Sequence, residues 1–520
     1  MKLLGLTAAV SLTLLTACSM EEHLPRPLES EPTDAVRFIG TPATPKPMAG
    51  VQPVFPYLAA AGSGSMHADG YNSDVHMAGP LGINTKVITR DHSKNVPGGM
   101  CATTTFNKQG NLIALCANMG GFSLNLFEPV TLKQLAYFQL PTRPSSFEAL
   151  VKRDPKVVMS DTSGGAYYYL DNEDRIVLAD SEQQLQRIGH RQLDDGSWEF
   201  YQDSAWDLSS HVPQDCMSSS NWFPGDEGCD PIVAVMPGPD GLIWWVTRQG
   251  IVGTLNTETG KVVKRQFDGE EIQNGFSVDL DAMYIVTDHK MYAMRADADG
   301  MPQVLWDEAY DRGSSRKVGT INQGSGTTPT LIGDDYLTVT DNADDKINLI
   351  VYKRKPSFEG EREICKVPLF TSGASVTDNS MIGWGRSIIL ENNYGYTSAV
   401  QQKDWSAVQG GIMRIDIRED ESGCDVVWTS PEKAPSNVPK LSADNGLAYF
   451  YTFEVQPDGV PTWYFMALDA HTGKTQFKVR TGAGKNFDNN WAPISLGEDG
   501  TAYIGTLSGI MSLQDQPAQP

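Results

Sequence analysis

Ala467-Leu468-Asp469-Ala470-His471-Thr472-Gly473-Lys474-Thr475-Gln476-Phe477-Lys478-Val479-Arg480-Thr481-Gly482 is one copy of a repeat. It reads as a strand ending at Leu468, a tight turn built on Asp469 and Gly473, and a second strand resuming at Thr475. The Asp side chain accepts hydrogen bonds from N–H groups two residues on, and Gly supplies a positive φ without steric cost. The unit is therefore a hairpin.

Degenerate copies lie upstream. Leu255-Asn256-Thr257-Glu258-Thr259-Gly260-Lys261 is the nearest in form, Ile415-Asp416 with Ser422-Gly423 and Trp428 carries an insertion, and Ala296-Asp297 with Gly300 and Trp306 is a third. Self-similarity at roughly 40 to 60 residues, with short strands between turn signals, is the mark of a radial repeat rather than a sandwich.

The Ala-x-Asp-x-x-Thr-Gly-Lys-x-x-Phe form of the turn resembles the repeat of quinoprotein-type β-propellers, the superfamily of pyrroloquinoline quinone (PQQ) dehydrogenases and of propeller lipoproteins of outer-membrane assembly. The resemblance implies an all-β eight-bladed propeller of four-stranded antiparallel blades, with seven blades as the alternative if 166–210 is an insertion. Blades are expected at 103–140, 166–210, 231–268, 274–309, 327–369, 374–430 and 437–482. A last segment from Trp491 to Leu513 supplies three strands, and Gly82–Arg90 is expected to supply the fourth, closing the ring and removing its exposed edge.

Upstream, residues 1–17 have a lone Lys2, an apolar run and a small-residue ending, the pattern of an export signal. Leu15-Thr16-Ala17-Cys18 resembles a lipobox, with Cys18 as the lipidated residue and Ser19 favouring outer-membrane sorting. Residues 18–61, rich in Pro, Glu and Thr, read as a flexible lipidated tether, 62–513 as the propeller and 514–520 as a disordered tail. The expectation is a monomer in the cell envelope, held at the membrane only by its lipid. A formal charge of −23 argues against nucleic acid as partner.

Six cysteines follow Cys18, an even number that in an exported chain favours disulfides. Pairing neighbours gives Cys101–Cys116 within the first blade, Cys216–Cys229 around a loop containing Trp222, and Cys365–Cys424 between the outer strands of two adjacent blades.

In a propeller the connections after each second strand and those between blades share one face. The expected second strands end at Asn118, Asp180, Arg248, Asp288-His289, Asp341-Asn342, Glu391-Asn392 and Glu454, which would ring one mouth of the channel with Trp222 and Arg316 from the long loops. Convergent polar groups around a concavity form a candidate binding site. His67 and Asp69 precede the first strand and are expected to cross the same mouth.

Function divides between two readings. One is a ligand-binding or protein-scaffolding lipoprotein whose partner is an envelope protein or a small molecule. The other is a periplasmic enzyme, with PQQ as redox cofactor or a calcium-assisted hydrolytic centre, using Asp341 and Asn342 as metal ligands with Glu391 and Asn392, and Asp288 or His289 as base. The resemblance implies PQQ and calcium, yet no two cysteines are adjacent, and Phe477 and Arg265 stand where the repeat ends in Trp. Nucleophile-elbow, Walker and His-Glu-x-x-His motifs do not occur.

Overall fold

The structure is a computed structural model that describes residues 37–60, 64–91, 100–118, 121–143, 164–213, 230–398 and 401–517. Cys18, the Cys216–Cys229 pairing and Trp222 fall outside these residues.

Eight antiparallel sheets form the ring. Blades I to VII span 101–139, 169–207, 232–266, 277–309, 330–368, 382–430 and 440–483. Blade VIII is built from Ile494–Leu496, Ala502–Thr506 and Gly509–Gln514, with Lys86–Asp91 antiparallel to its last strand, Ile88 opposite Ser512. Closure therefore uses the expected N-terminal strand. Middle strands such as Ile243–Thr247 and Tyr336–Thr340 are buried at every residue, because a neighbouring blade covers each face. Cys101–Cys116 joins the first two strands of blade I, and Cys365–Cys424 ties the outer strands of blades V and VI, as expected.

The outer-strand aromatic of the repeat is a clamp between blades. Trp428 of blade VI donates its indole N–H to Ala470 O of blade VII at 2.9 Å and lies flat on Gly473, where an added Cβ would sit 2.5 Å from the ring. Trp306 of blade IV likewise reaches Arg354 O of blade V at 3.0 Å. Where the Trp is replaced, Arg265 of blade III reaches Pro302 O of blade IV at 3.4 Å. Phe477 of blade VII packs against Phe38 instead, with ring centroids 5.8 Å apart.

Two expectations about the ends are corrected. From residue 37 the expected tether is packed. Phe38–Gly40 pairs antiparallel with the outer strand of blade VII, Phe38 opposite Val479. The chain then crosses the lower face, the side of the first-to-second-strand hairpins: Met48 N bonds Ala443 O at 2.9 Å, and Trp384 Nε1 bonds Met48 O at 2.9 Å. Gly50 lies on that indole so closely that a Cβ would come within 2.3 Å of it. At the other end, the Asp515 carboxylate accepts the N–H groups of Leu81, Gly82 and Ile83 at 2.6, 3.1 and 3.0 Å and Gln516 N bonds Ile83 O at 3.0 Å, so residues 514–516 belong to the closure.

Residues 64–78 then enter the channel and plug it. Their carbonyls complete the ladder of the inner strands: Val278 N bonds Gly70 O (2.7 Å), and Leu331, Gly383 and Leu441 bond Tyr71, Ser73 and Asp74 (2.9 Å each). Val75–His76 runs parallel to the inner strand Lys440–Ser442, so blade VII gains a strand on both edges and becomes six-stranded.

Candidate functional site in the plugged channel

The plug carries a buried polar cluster that faces the inner strands. Lys440 Nζ pairs with Asp74 Oδ1 at 2.7 Å and bonds Met66 O at 3.0 Å, with its side chain 1% exposed and that of Asp74 fully buried. His67 lies between Asp74 Oδ2 (3.3 Å), Thr328 Oγ1 (3.0 Å) and Ser380 Oγ (3.3 Å). Burial holds its pKa below the ordinary imidazole value, against the opposing pull of Asp74. Burial likewise lowers Lys440, which Asp74 opposes. Asp69 folds the plug upon itself, accepting from Tyr71 N (3.0 Å), Ser73 N (3.1 Å) and Ser73 Oγ (2.5 Å). Burial pushes its carboxyl up to about 7. His67 and Asp69 thus sit in the channel rather than across an open mouth.

Glu391 is the one second-strand residue that joins this cluster. It is fully buried, Oε1 accepts from Asn379 Nδ2 at 2.7 Å, and Oε2 has no hydrogen-bond partner among the described residues. Burial, reinforced by the charge of Asp74, keeps its carboxyl protonated well above the usual range.

The other strand-end residues hold turns. Asp180 accepts from Glu182 N and Gln184 N at 2.8 and 3.0 Å and from Gln186. Asn392 donates to Ala374 O and Gly410 O and accepts from Tyr394 N. Asp288 touches His289 Nδ1 at 2.8 Å, as the acid/base reading requires, but its carboxylate also takes Glu271 N at 2.7 Å and the Arg312 guanidinium. Arg248 is buried beside Glu271, Glu454 is exposed and 3.5 Å from Lys478, and Arg316 is exposed with Nη1 on Ile321 O at 3.3 Å. Asn118 ends its strand opposite Gly121.

Of the residues nominated for calcium, Asp341 is engaged within the protein, while Asn342 keeps one buried oxygen, Oδ1, without a partner among the described residues. Asp341 accepts from Asn348 N and Nδ2 (2.7 Å each) and Ala343 N (3.2 Å), and pairs with Lys366 at 2.9 Å. Asn342 donates its amide to Arg312 O and Ser315 O. Among the described residues no three His, Cys, Asp or Glu side chains group to hold an ion. The residues offered for PQQ are the same ones; most of their polar atoms are taken within the protein, whereas Asn342 Oδ1 and Glu391 Oε2 are buried without a partner among the described residues.

Sequence reasoning missed the asparagines that open the blades. Asn274, Asn379 and Asn437 each stand three residues before an inner strand, and Asn322 and Asn489 occupy the same connections in blades V and VIII. All are buried, and each leaves one amide atom without a partner among the described residues. The signal was present as a recurring Asn ahead of short apolar runs. Beside the plug, on the blade III side, lies a small cleft with room for about one water, walled by Met66, His67, Tyr167, Val235, Met236 and Phe276 among others.

No family model matches the chain. An uncharacterized protein of Archaeoglobus fulgidus is 23% identical over 319 residues, 55% of this chain and 61% of that protein, so the chain spans about three-fifths of that relative's length. Among solved structures, a streptogramin B lyase superposes with TM-score 0.40 at 11% identity, covering 83% of this chain and 98% of that one. The Dos1 propeller gives 0.36 at 9% identity (82% and 93%), and the computationally designed Ika8 protein 0.44 at 9% (81% and 98%). Likeness at this level carries no argument about activity.

Proposed function

We propose that this chain is an envelope lipoprotein, tethered through Cys18 to the outer membrane, whose propeller is a binding and scaffolding module. It acts by presenting the rigid upper face of the wheel to an envelope protein or a small ligand, without covalent chemistry. The observation that carries this reading is the plug. The channel is filled by the chain's own residues 64–78, and Asp180, Asp288 and Asp341 on the upper face are spent on turns and internal ion pairs.

The test is photo-crosslinking in cells from single positions on each face. Val318 and Val455 are 52% and 37% exposed on the upper side, and Val54 and Leu280 are 88% and 62% exposed on the lower. Discrete adducts from the upper positions alone are expected, together with release of the protein from membranes by Cys18→Ala. Adducts from the lower face alone, or a melting temperature raised by calcium with PQQ, would overturn the reading.

A further inference from the structure

The contact between the plug and blade VII holds an amine and a carboxyl group together in a space closed to water. Lys440 Nζ stands 2.7 Å from Asp74 Oδ1, with the lysine side chain 1% exposed and the aspartate fully buried. Other lysine–carboxylate pairs, such as Lys290–Asp307 and Lys366–Asp341, keep the lysine partly in water. Backbone contacts fix both partners. Leu441 N bonds Asp74 O at 2.9 Å, and Val75 stands opposite Leu441 in the parallel pairing. Asp74 is held at φ +57°, in the left-handed region that few non-glycine residues adopt.

The hydrogen bonds around the pair account for each proton. One ammonium N–H faces Asp74 Oδ1, one faces Met66 O at 3.0 Å, and a longer one faces Pro439 O at 3.4 Å. Asp74 Oδ2 faces His67 Nδ1 at 3.3 Å, and since a carboxylate only accepts, Nδ1 carries the proton. Burial disfavours the ammonium form of Lys440, which Asp74 opposes. In water an amine and a carboxylic acid do not condense, because each is far more stable as its ion. A dry site withdraws that stabilisation, and a hydrogen-bonded neutral amide costs less to bury than two charges.

We propose that Lys440 and Asp74 condense into an intramolecular amide bond that locks the plug to blade VII. The arrangement described above is the reactant pair, and the step balances without another reactant. A proton crosses from Nζ to Oδ1, the freed lone pair attacks Cγ, the Nζ–Cγ bond forms and the Cγ–Oδ1 bond breaks. Oδ1 leaves as water with two of the three ammonium protons. The remaining N–H has Met66 O as acceptor. Oδ2 becomes the amide oxygen, and His67 Nδ1–H already faces the charge that develops on it. The water has an outlet, because the cleft walled by Met66 and His67 has room for about one water and its Met66 and Tyr167 are only half-buried. Groups held in contact by the fold need no encounter to react. The bond would join positions 366 apart in sequence. It is internal to the chain and asks nothing of a partner, so it stands or falls apart from the binding reading.

The test is a peptide map of the full chain, unfolded, reduced and digested with trypsin before mass spectrometry. Trypsin does not cut after an acylated lysine or between Lys46 and Pro47. The expected product is therefore 38–86 joined to 434–474, lighter than the two peptides together by one water, with fragmentation placing the junction at Asp74 and Lys440. Lys440→Arg keeps the positive charge, but its guanidinium stays protonated and does not condense. In that variant 38–86 should appear free and at its unmodified mass. Separate peptides from the parent, with cleavage after Lys440, overturn the proposal. So does a joined species in Lys440→Arg, or a junction at any other residue. The parent decides the matter even where the variant misfolds.

Discussion

Lys440 and Asp74 form an ion pair with essentially no solvent contact, one partner on an inner strand and the other on the plug. Such a pair adds little over an apolar substitute, but losing one member strands a charge. Lys440→Met is therefore expected to cost about 3–5 kcal/mol in urea unfolding, and Lys440→Met with Asp74→Asn to recover much of it. A single mutant as stable as the parent would show that the pair is not buried in solution. The acids give a second expectation at this scale. Desolvation pushes Asp69, Asp378 and Asp488 up to about 7 and Asp230 up to about 6, above their unfolded value. Stability from such groups is complete below the unfolded pKa and is lost as pH rises through the folded one. His67 and His76 are held below theirs and withdraw stability as pH falls below the unfolded imidazole value, His76 until about 3. Melting temperature should thus fall from mildly acidic pH to pH 8. Asp488→Asn should flatten that limb, because an amide oxygen can still accept from Tyr396 and Asn490. A melting curve that climbs between pH 6 and 8 contradicts this. The sequence showed which polar residues stand at strand ends, since an Asp or Asn after an apolar run is visible. Whether such a side chain turns inward to join Glu391 or back to staple its own turn, as Asp180 does, depends on partners hundreds of residues away.

At the scale of elements the repeat carried most of the information. Blade spans read from turns and apolar runs agree with the strands because every blade is stabilised by local hairpins whose turn residues are explicit: Asp469 with Gly473 (φ +70°), Asp297 with Gly300 (φ +87°). The first-to-second-strand turns held an equally regular signal in Asp240-Gly241 and Asp499-Gly500. What the outer-strand Trp does was not legible. Its ring docks on the next blade's turn, an intermolecular-like contact that no local pattern encodes. Trp428→Ala removes both that packing and the bond to Ala470 O, and should lower unfolding free energy by about 3–5 kcal/mol. A loss below about 1 kcal/mol would mean that the blade interface does not depend on the clamp. The lower-face strap was missed for a related reason. Thr41-Pro42-Ala43-Thr44-Pro45-Lys46-Pro47 has the composition of a loose tether, and an extended segment looks the same in sequence whether its N–H groups meet water or Asn445 O at 3.0 Å.

For the molecule as a whole, one N-terminal segment does three things in succession. It covers the outer edge of blade VII at Phe38–Gly40, fills the channel with residues 64–78, and closes the ring with Lys86–Asp91. Closure by the last of these was expected from the strand count; the plug was not, because nothing in a Gly- and Asp-rich stretch distinguishes a surface loop from one whose carbonyls are taken by four different blades. The two roles can be separated experimentally. A chain starting at residue 37 keeps every described contact and should melt like the full chain. A chain starting at residue 80 keeps the closing strand but loses the acceptors for Val278, Leu331, Gly383 and Leu441 N–H and leaves Lys440 buried without Asp74. Orphaned backbone donors cost about 1–3 kcal/mol each, and the unpaired charge adds to them. The shorter chain should therefore melt more than about 10 °C lower, or fail to fold, with inner strands opened to proteolysis. Equal melting of the two truncations would make the plug a passenger in a ring that stands by blade packing alone, and would leave the channel free to admit a ligand from either side.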